Sequence, residues 1–393
     1  MSQAVIVDAI RSPMGRGRPG GALSSVHPVD LLAQVLAALV TRSRLDPGSV
    51  DDVLVGCVGQ AGEQSATPGR MAWLAAGFPA EVPSVTIERK CGSGQQAVDF
   101  AVQGIMAGAY DIAIAAGVES MSRVPMGSAR MGADPFGSGV RARYGELVPQ
   151  GVSAELVADK FGLARDELDA YSAQSHARAA QVSGAGGFDA EIVPVLRPDG
   201  VLVSRDETIR PGTTAERLAG LKPVFGSKEM RERFPHLDWN VTAGNSSQIT
   251  DGAAALLLMS EERAERLDLR ARARVVASAV CGDDPLLMLT GPIPATRRVL
   301  EHAGMALADI DAVEVNEAFA SVPLAWLREF DVDPAIVNPR GGAIALGHPL
   351  GASGTRLLTT LLGHLDATGG QFGLQTMCEA GGMANAMIIE RLG

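Results

Sequence analysis

Val82-Pro83-Ser84-Val85-Thr86-Ile87-Glu88-Arg89-Lys90-Cys91-Gly92-Ser93-Gly94-Gln95-Gln96-Ala97-Val98 is the stretch around which the chain is organised. A short apolar run leads to a cysteine, and a glycine-rich turn then opens into a helical pattern through Phe100, Ala101, Ile105 and Met106 before Gly108. The spacing predicts strand, turn and helix, with Cys91 at the helix N-terminus. Free backbone N–H groups and the positive end of the helix dipole there favour a thiolate, the nucleophilic form of cysteine. A lone cysteine is more often a small buried hydrophobe, so its meaning depends on the partners the rest of the chain supplies.

Outward from this stretch, strands and helices alternate. Val5–Ile10, Val53–Val58 and Asp111–Gly117 read as buried strands; Pro28–Thr41 and a segment opened by Thr67-Pro68-Gly69-Arg70 read as helices. Residues 121–150 are rich in Gly, Pro, Arg and Met without a sustained period, which predicts a long loop laid over something else. Helices at Ser153–Phe161 and Arg165–Val182 follow, then short strands near Ile192–Leu196 and Val201–Val203. The core pattern resumes with a strand over Asp251–Met259 and a charged helix over Ser260–Leu267. The opening theme then recurs: strands over Ala273–Val280 and Ala312–Val315, helices over Pro294–His302 and Ala318–Phe330, a helix opened by Gly351-Ala352-Ser353-Gly354, and closing strands over Phe372–Cys378 and Ala384–Glu390. This order predicts an α/β protein with a largely parallel sheet and an internal duplication.

Three later stretches supply partners for Cys91. They are Val315-Asn316-Glu317-Ala318-Phe319-Ala320, the glycine-rich Gly341–Gly354 with His348 inside it, and Met377-Cys378-Glu379-Ala380-Gly381-Gly382. Together they offer an amide, an imidazole and a second thiol. Read with Cys91, they resemble the thiolase family, over essentially the whole chain.

The resemblance implies duplicated α/β halves in five alternating αβαβα layers with an inserted loop domain. The expected boundaries are 1–118 plus 249–271 for the first half, 119–248 for the insertion, which covers the active site and holds coenzyme A, and 272–393 for the second half. It implies a 3-oxoacyl-CoA thiolase, an acetyl-CoA C-acyltransferase working through an acyl-cysteine. Cys91 matches the acylated nucleophile, His348 its base, and Cys378 the thiol that exchanges a proton with the α-carbon of acetyl-CoA. Asn316 with His348 matches one oxyanion hole, and the backbone N–H groups of Cys91 and Ala380 match the other. Most members carry glycine where this chain has Ala380. Ala243, Ser247, Met288 and Phe319 match residues that line the pantetheine and acyl site, and Arg210 lies where the adenine nucleotide is approached. Where short-chain biosynthetic members place a methionine before glycine, this chain has Gln150 before Gly151, which implies a longer or bulkier acyl group than acetoacetyl. Glu317 reads as structural.

Composition sets limits on the alternatives. A net charge of −11 argues against a nucleic-acid or anionic-membrane surface. Four cysteines form no disulfide framework, and no signal-like or membrane-spanning apolar run is present, so a reducing, cytoplasmic location is expected. No metal and no resident cofactor are expected, because CoA thioesters are substrates, and the family resemblance implies a homodimer or homotetramer. Competing readings are an acetyl-CoA acetyltransferase making acetoacetyl-CoA, a carrier-protein synthase, against which Cys378 argues, and a catalytically silent CoA-binding subunit.

Overall fold

The computed structural model describes residues 3–393. In chain order the elements begin with β1 (Ala4–Arg11), β2 (Gly15–Arg16), α1 (Pro28–Arg42), β3 (Asp52–Gly56), α2 (Pro68–Ala75), β4 (Ser84–Ile87), α3 (Ser93–Met106) and β5 (Ile112–Ser120). Next come α4 (Gly137–Tyr144), α5 (Gln150–Lys160), α6 (Arg165–Gly184), β6 (Val195–Leu196), β7 (Leu202–Val203), α7 (Ala215–Ala219) and α8 (Lys228–Arg233). The chain continues through β8 (Thr250–Ser260), α9 (Glu261–Arg266), β9 (Ala273–Gly282), α10 (Pro292–Ala303), β10 (Ala312–Val315) and α11 (Ser321–Glu329). It closes with α12 (Ala343–Leu346), α13 (Ser353–Thr368), β11 (Phe372–Glu379) and β12 (Met383–Arg391).

The main sheet runs in the order β10-β11-β12-β9-β1-β8-β5-β3-β4, with β2 beside β8. β1 and β9 meet only at Val5↔Arg274 and Ile6↔Ala273, a narrow seam that divides the sheet into two halves. The outer face of the first half packs on α1 and α2, where Leu32, Leu36 and Trp73 share a core with Val53, Ile114 and Leu257. The outer face of the second packs on α10 and α11 through Val299, Trp326, Val313 and Ile388. Between the halves, Val98 and Ile105 of α3 and Leu358 and Leu362 of α13 join Ile6 and Leu256 from one sheet half and Met387 and Ile389 from the other. The result is five αβαβα layers.

The central helices explain the glycines. Residues Ser353–Leu362 of α13 are buried without a break, so this stretch of the helix has no solvent face. A Cβ at Gly354 would lie 2.1 Å from the backbone N of Gln95, and one at Gly94 would lie 2.7 Å from the carbonyl of Gly351. Only residues without a side chain let the two helix N-termini approach this closely. This approach brings the Cys91 turn alongside the His348 loop.

The sheet is not largely parallel, contrary to the expectation from strand–helix alternation. β3 pairs in parallel with β4 and β5, and β10 with β11, where helices make the crossovers; the other main-sheet pairings are antiparallel. β11 and β12 are joined by a tight turn with Gly381 at φ 94 and Gly382 at φ 76, too short for a crossover. The chain leaves β5 at Ser120 and returns on β8, whose Asp251 is paired with Ser120, so the intervening excursion closes on itself. Within it, residues 121–150 are not loop throughout: Gly137–Tyr144 forms α4, whose residues are mostly exposed and have no apolar period for sequence reading to detect.

Candidate active site

Cys91 sits in a sharp turn between β4 and α3. Lys90 adopts φ 48, unusual for a residue with a side chain, and Ser93 holds the turn by accepting from the Arg89 N–H at 2.9 Å and donating to the Lys90 carbonyl at 2.5 Å. The thiol is buried. Its sulfur is faced by the side chain of Gln150 and by the backbone N–H groups of Cys91 and Ala380, all of which favour the thiolate. Burial outweighs them, and the nearby Glu379 carboxyl works in the same direction, so the thiol is pushed up to about 12. The helix N-terminus alone therefore does not generate a standing thiolate, which corrects the expectation from position.

His348 is 4% exposed, and its Nδ1 lies 2.5 Å from Oγ of Ser353. The Ser353 hydroxyl donates to the Pro349 carbonyl at 2.9 Å, so the serine has no proton left for the ring. Nδ1 must therefore carry the hydrogen, leaving Nε2 with its lone pair free. Burial, aided by the cationic Arg356, pushes the imidazole down to about 3 and keeps it neutral. Asn316 Nδ2 stands 3.5 Å from Nε2, while Asn316 Oδ1 is buried without a partner. An acceptor placed between Nδ2 and Nε2 would be held by both, provided that Nε2 carries a proton.

Sheet register joins these groups. β10 runs parallel to β11 with Val315 opposite Thr376, and Asn316 N–H donates to the Thr376 carbonyl at 3.0 Å, which sets the amide beside the end of β11 that carries Cys378. Cys378 is fully buried. Burial first, and then the neighbouring Cys91, push its thiol well above the ordinary range, so it stays protonated at rest. Ala380 follows at the strand end. The left-handed conformations of this hairpin fall on Gly381 and Gly382 rather than on Ala380, so alanine is unstrained there and its N–H reaches the Cys91 sulfur.

The other residues singled out in the sequence are linked by local contacts. Ser247 N–H donates to the Ala318 carbonyl at 3.0 Å, Ala320 N–H donates to the Asn245 carbonyl at 2.9 Å, and Ser246 bridges to Phe319, so the 243–248 segment lies along Phe319. Ala243 is exposed and Ser247 half-buried. Phe319 meets Phe225 edge to face with ring centroids 6.0 Å apart and shares a core with Met288, which takes φ 59. Arg210 donates to Oε1 of Gln248 at 2.9 Å. Glu317 is a strut between the excursion and the second half. It accepts from Tyr171 at 2.9 Å, Ser175 at 2.7 Å, Asn338 at 3.1 Å and the Ile344 N–H at 3.0 Å.

Sequence reasoning missed four contributors. Ser353 reads in sequence as part of a helix opening, although a serine five residues past a histidine in a tight glycine loop is placed to meet its ring. Gln248 ties this region together, donating to the carbonyls of Thr208 and Ile344, each at 2.9 Å, while its own carbonyl accepts from the His348 N–H at 3.1 Å. Glu379 was detectable as a carboxylate in an otherwise uncharged strand. Arg356, buried in α13, left no local signal beyond a cation in a helix of apolar and small residues.

Comparison with known proteins covers the whole assembly. Residues 4–262 match the N-terminal domain of thiolase and residues 269–391 match its C-terminal domain. The chain is 47% identical over 401 residues to the steroid 3-ketoacyl-CoA thiolase FadA6 of Mycobacterium tuberculosis, an alignment covering 100% of this chain and 95% of that protein. It is 44% identical over 415 residues to the 3-oxoadipyl-CoA/3-oxo-5,6-dehydrosuberyl-CoA thiolase of Escherichia coli, covering 100% of both. The crystal structure of the Bacillus anthracis acetyl-CoA acetyltransferase superposes with a TM-score of 0.89 at 38% identity, over 100% of this chain and 99% of that one.

Proposed function

The chain belongs to the thiolase family, and from that premise we propose that it cleaves 3-oxoacyl-CoA thioesters with Cys91 as the acyl carrier. Its activity is that of a 3-oxoacyl-CoA thiolase, an acyltransferase acting on CoA thioesters. The observation that carries the assignment of roles is the convergence of the Cys91 sulfur, the Ala380 N–H and Cys378 at one strand end, with Asn316 joining that end to the His348 imidazole.

In the cleavage direction, neutral His348 takes the Cys91 proton at Nε2 as sulfur attacks the 3-oxo carbon. Because the resting thiol is protonated and the imidazole neutral, the thiolate forms only transiently, on proton transfer to His348, rather than standing as an ion pair at rest. The 3-oxo oxygen becomes an oxyanion held by the Cys91 and Ala380 N–H groups. The C2–C3 bond then breaks, and its electron pair passes to the enolate of acetyl-CoA. The enolate oxygen lies between Asn316 Nδ2 and the newly protonated Nε2, and the Cys378 thiol supplies the proton to C2. Acetyl-CoA leaves. Free CoA then gives its thiol proton to the Cys378 thiolate and attacks the acyl-Cys91 carbonyl; Cys91 departs and recovers its proton from His348. Condensation runs the same steps in reverse. CoA enters and leaves as substrate, with no resident cofactor in the scheme.

The substrate is proposed to carry an acyl group larger than that of acetoacetyl-CoA. Gln150 beside Cys91 and the names of the relatives, a steroid and a 3-oxoadipyl-CoA thiolase, both favour this. Ala243, Ser247, Met288, Phe319 and Arg210 are proposed to line the CoA path. Self-association is proposed along β4, a sheet edge flanked by exposed Met71, Leu74, Val85, Phe100 and Met106, an apolar surface suited to a second copy. Four unpaired cysteines suit a reducing cytoplasm. No helix among the described residues is long and apolar enough to cross a membrane.

The test is thiolysis of acetoacetyl-, 3-oxoadipyl-, medium-chain and steroid side-chain 3-oxoacyl-CoA, followed by loss of enolate absorbance, with Cys91→Ala as control. Turnover abolished in the variant, with acetoacetyl-CoA a poor member of the panel, supports the proposal. Preference for acetoacetyl-CoA would overturn the larger-acyl reading, and failure on every member would overturn the activity.

A further inference from the structure

Gln150 opens α5, and its surroundings fix that helix end in place. A Cβ at Gly151 would lie 2.2 Å from the ring of Phe225, so the backbone is seated directly on an aromatic side chain. Ser153 donates to the Leu286 carbonyl at 2.7 Å. Glu155 accepts from the N–H groups of Asn240 at 2.7 Å and Val241 at 2.8 Å. The carboxamide so positioned lies against the Cys91 sulfur. Its Nε2 is nevertheless buried with no acceptor at hydrogen-bond distance and angle. A buried N–H left without an acceptor is uncommon and calls for an explanation; beside the Cys91 sulfur, an acceptor that appears during the reaction supplies one. The neutral thiol is a poor acceptor. Its thiolate is a strong one, and the catalytic cycle forms that thiolate twice, on attack and on release of the acyl group.

We infer that the Gln150 carboxamide is a third hydrogen-bond donor to the Cys91 sulfur, completing with the Cys91 and Ala380 N–H groups the set that holds the thiolate once His348 has taken the proton. The inference rests on Cys91 being the nucleophile proposed above. The site has a physical need for such a donor. Burial, aided by Arg356, keeps His348 neutral, and burial together with the Glu379 carboxyl opposes negative charge on the sulfur. A rigid neutral dipole can stabilise the thiolate without adding a net charge that would have to be desolvated when the acyl chain enters.

The test is the rate at which iodoacetamide alkylates Cys91 between pH 7 and 10, read by peptide mass spectrometry. The proteins compared are wild type, Gln150→Leu and Gln150→Met, with Cys91→Ala as the blank. Leu and Met fill similar volume but cannot donate, and two variants guard against one that fails to fold. The expected result is about a tenfold slower alkylation at pH 8.5 in both, with the pH profile displaced upward by about one unit. Alkylation within about twofold of wild type on an unmoved profile would overturn the inference and leave Gln150 as a pocket wall. Alkylation needs no acyl substrate, so this result stands apart from the thiolysis panel: wild type that turns over no 3-oxoacyl-CoA sinks the thiolase activity, while the alkylation profile still decides the role of Gln150.

Discussion

Ser353 Oγ accepts the Nδ1 hydrogen of His348 at 2.5 Å and sends its own proton to the Pro349 carbonyl at 2.9 Å. This relay fixes the tautomer that leaves Nε2 free to act as a base. In Ser353→Ala the ring loses its orienting acceptor, and the buried Nδ1–H is left unpaired. Turnover should fall about 10- to 100-fold with KM for the CoA thioester little changed, a share of the effect of a positioned general base. Steady-state kinetics, with Ser353→Thr as a partial rescue that restores the hydroxyl, checks this; an unchanged kcat in the alanine variant refutes it.

Glu379 lies under the nucleophile, and burial pushes its carboxyl up to about 8. Below that pH it is neutral, like a glutamine; above it, a negative charge arrives beside Cys91 and opposes the thiolate. The ratio of Cys91 alkylation rates, Glu379→Gln over wild type, should therefore stay near one at pH 7 and climb above pH 8. A ratio flat from pH 7 to 9.5 would contradict this coupling.

The stability of the whole chain should carry the same signature. Burial raises Glu379 and Glu314 to about 8 and Asp99 to about 7, well above their unfolded values. A carboxyl raised in the folded state stabilises it fully below the unfolded value, near 4, and that stability is lost as pH rises through the folded value. His348, His176 and His364 are lowered to about 3, 4 and 4, and they act in the opposite sense only below the ordinary histidine value. Between pH 6.5 and 8 the carboxyls dominate, and toward pH 8.5 the buried thiols, also raised in the folded state, act in the same direction, so the melting temperature should decline across that window. Calorimetry showing a rise there would refute the assignment.

Much of this was legible in the sequence because it depended on local pattern. Cys91 before Gly-Ser-Gly, and His348 between glycine and proline, announce tight turns that present a side chain, and buried strands such as Val53–Gly56 are continuous apolar runs. Pairing direction was not legible, because β8 and β12 read the same whichever way their neighbours run, and only the length of each connection decides. The charge state of Cys91 was also hidden. Position at a helix N-terminus is visible in sequence, whereas full burial and a carboxyl 288 residues further on, at Glu379, are consequences of the assembled layers. Ala380 illustrates the same limit in reverse, since its tolerance depends on the left-handed residues falling one and two positions later.

Glu317 takes four hydrogen bonds from donors on α6, the Asn338 loop and the start of α12. Replacing it with alanine strands buried donors on three segments at once. Glu317→Ala should cost about 2–4 kcal/mol in stability by the penalty for leaving such groups unpaired, and it should lower turnover by loosening Asn316 next door. Urea unfolding alongside kcat tests both; Glu317→Gln, which keeps an acceptor oxygen, should lose less than alanine on each.

Gly354 offers the strictest steric test, because its neighbour is backbone. A Cβ there would fall 2.1 Å from the N and 2.7 Å from the Cα of Gln95, in the turn region where α3 and α13 approach. A flexible side chain could swing aside, but helical backbone cannot move without shifting the helix that begins two residues past Cys91. Gly354→Ala should therefore destabilise by about 1–3 kcal/mol or more through overpacking and should also reduce turnover, since the displaced α3 carries the nucleophile away from the His348 loop. Gly304→Ala is the matched control: its φ of 63 strains alanine, but no atom lies within 4 Å of the added Cβ, so it should cost stability and leave kcat intact. Equal kcat in the two variants would mean that the helix-to-helix approach does not set the active-site geometry.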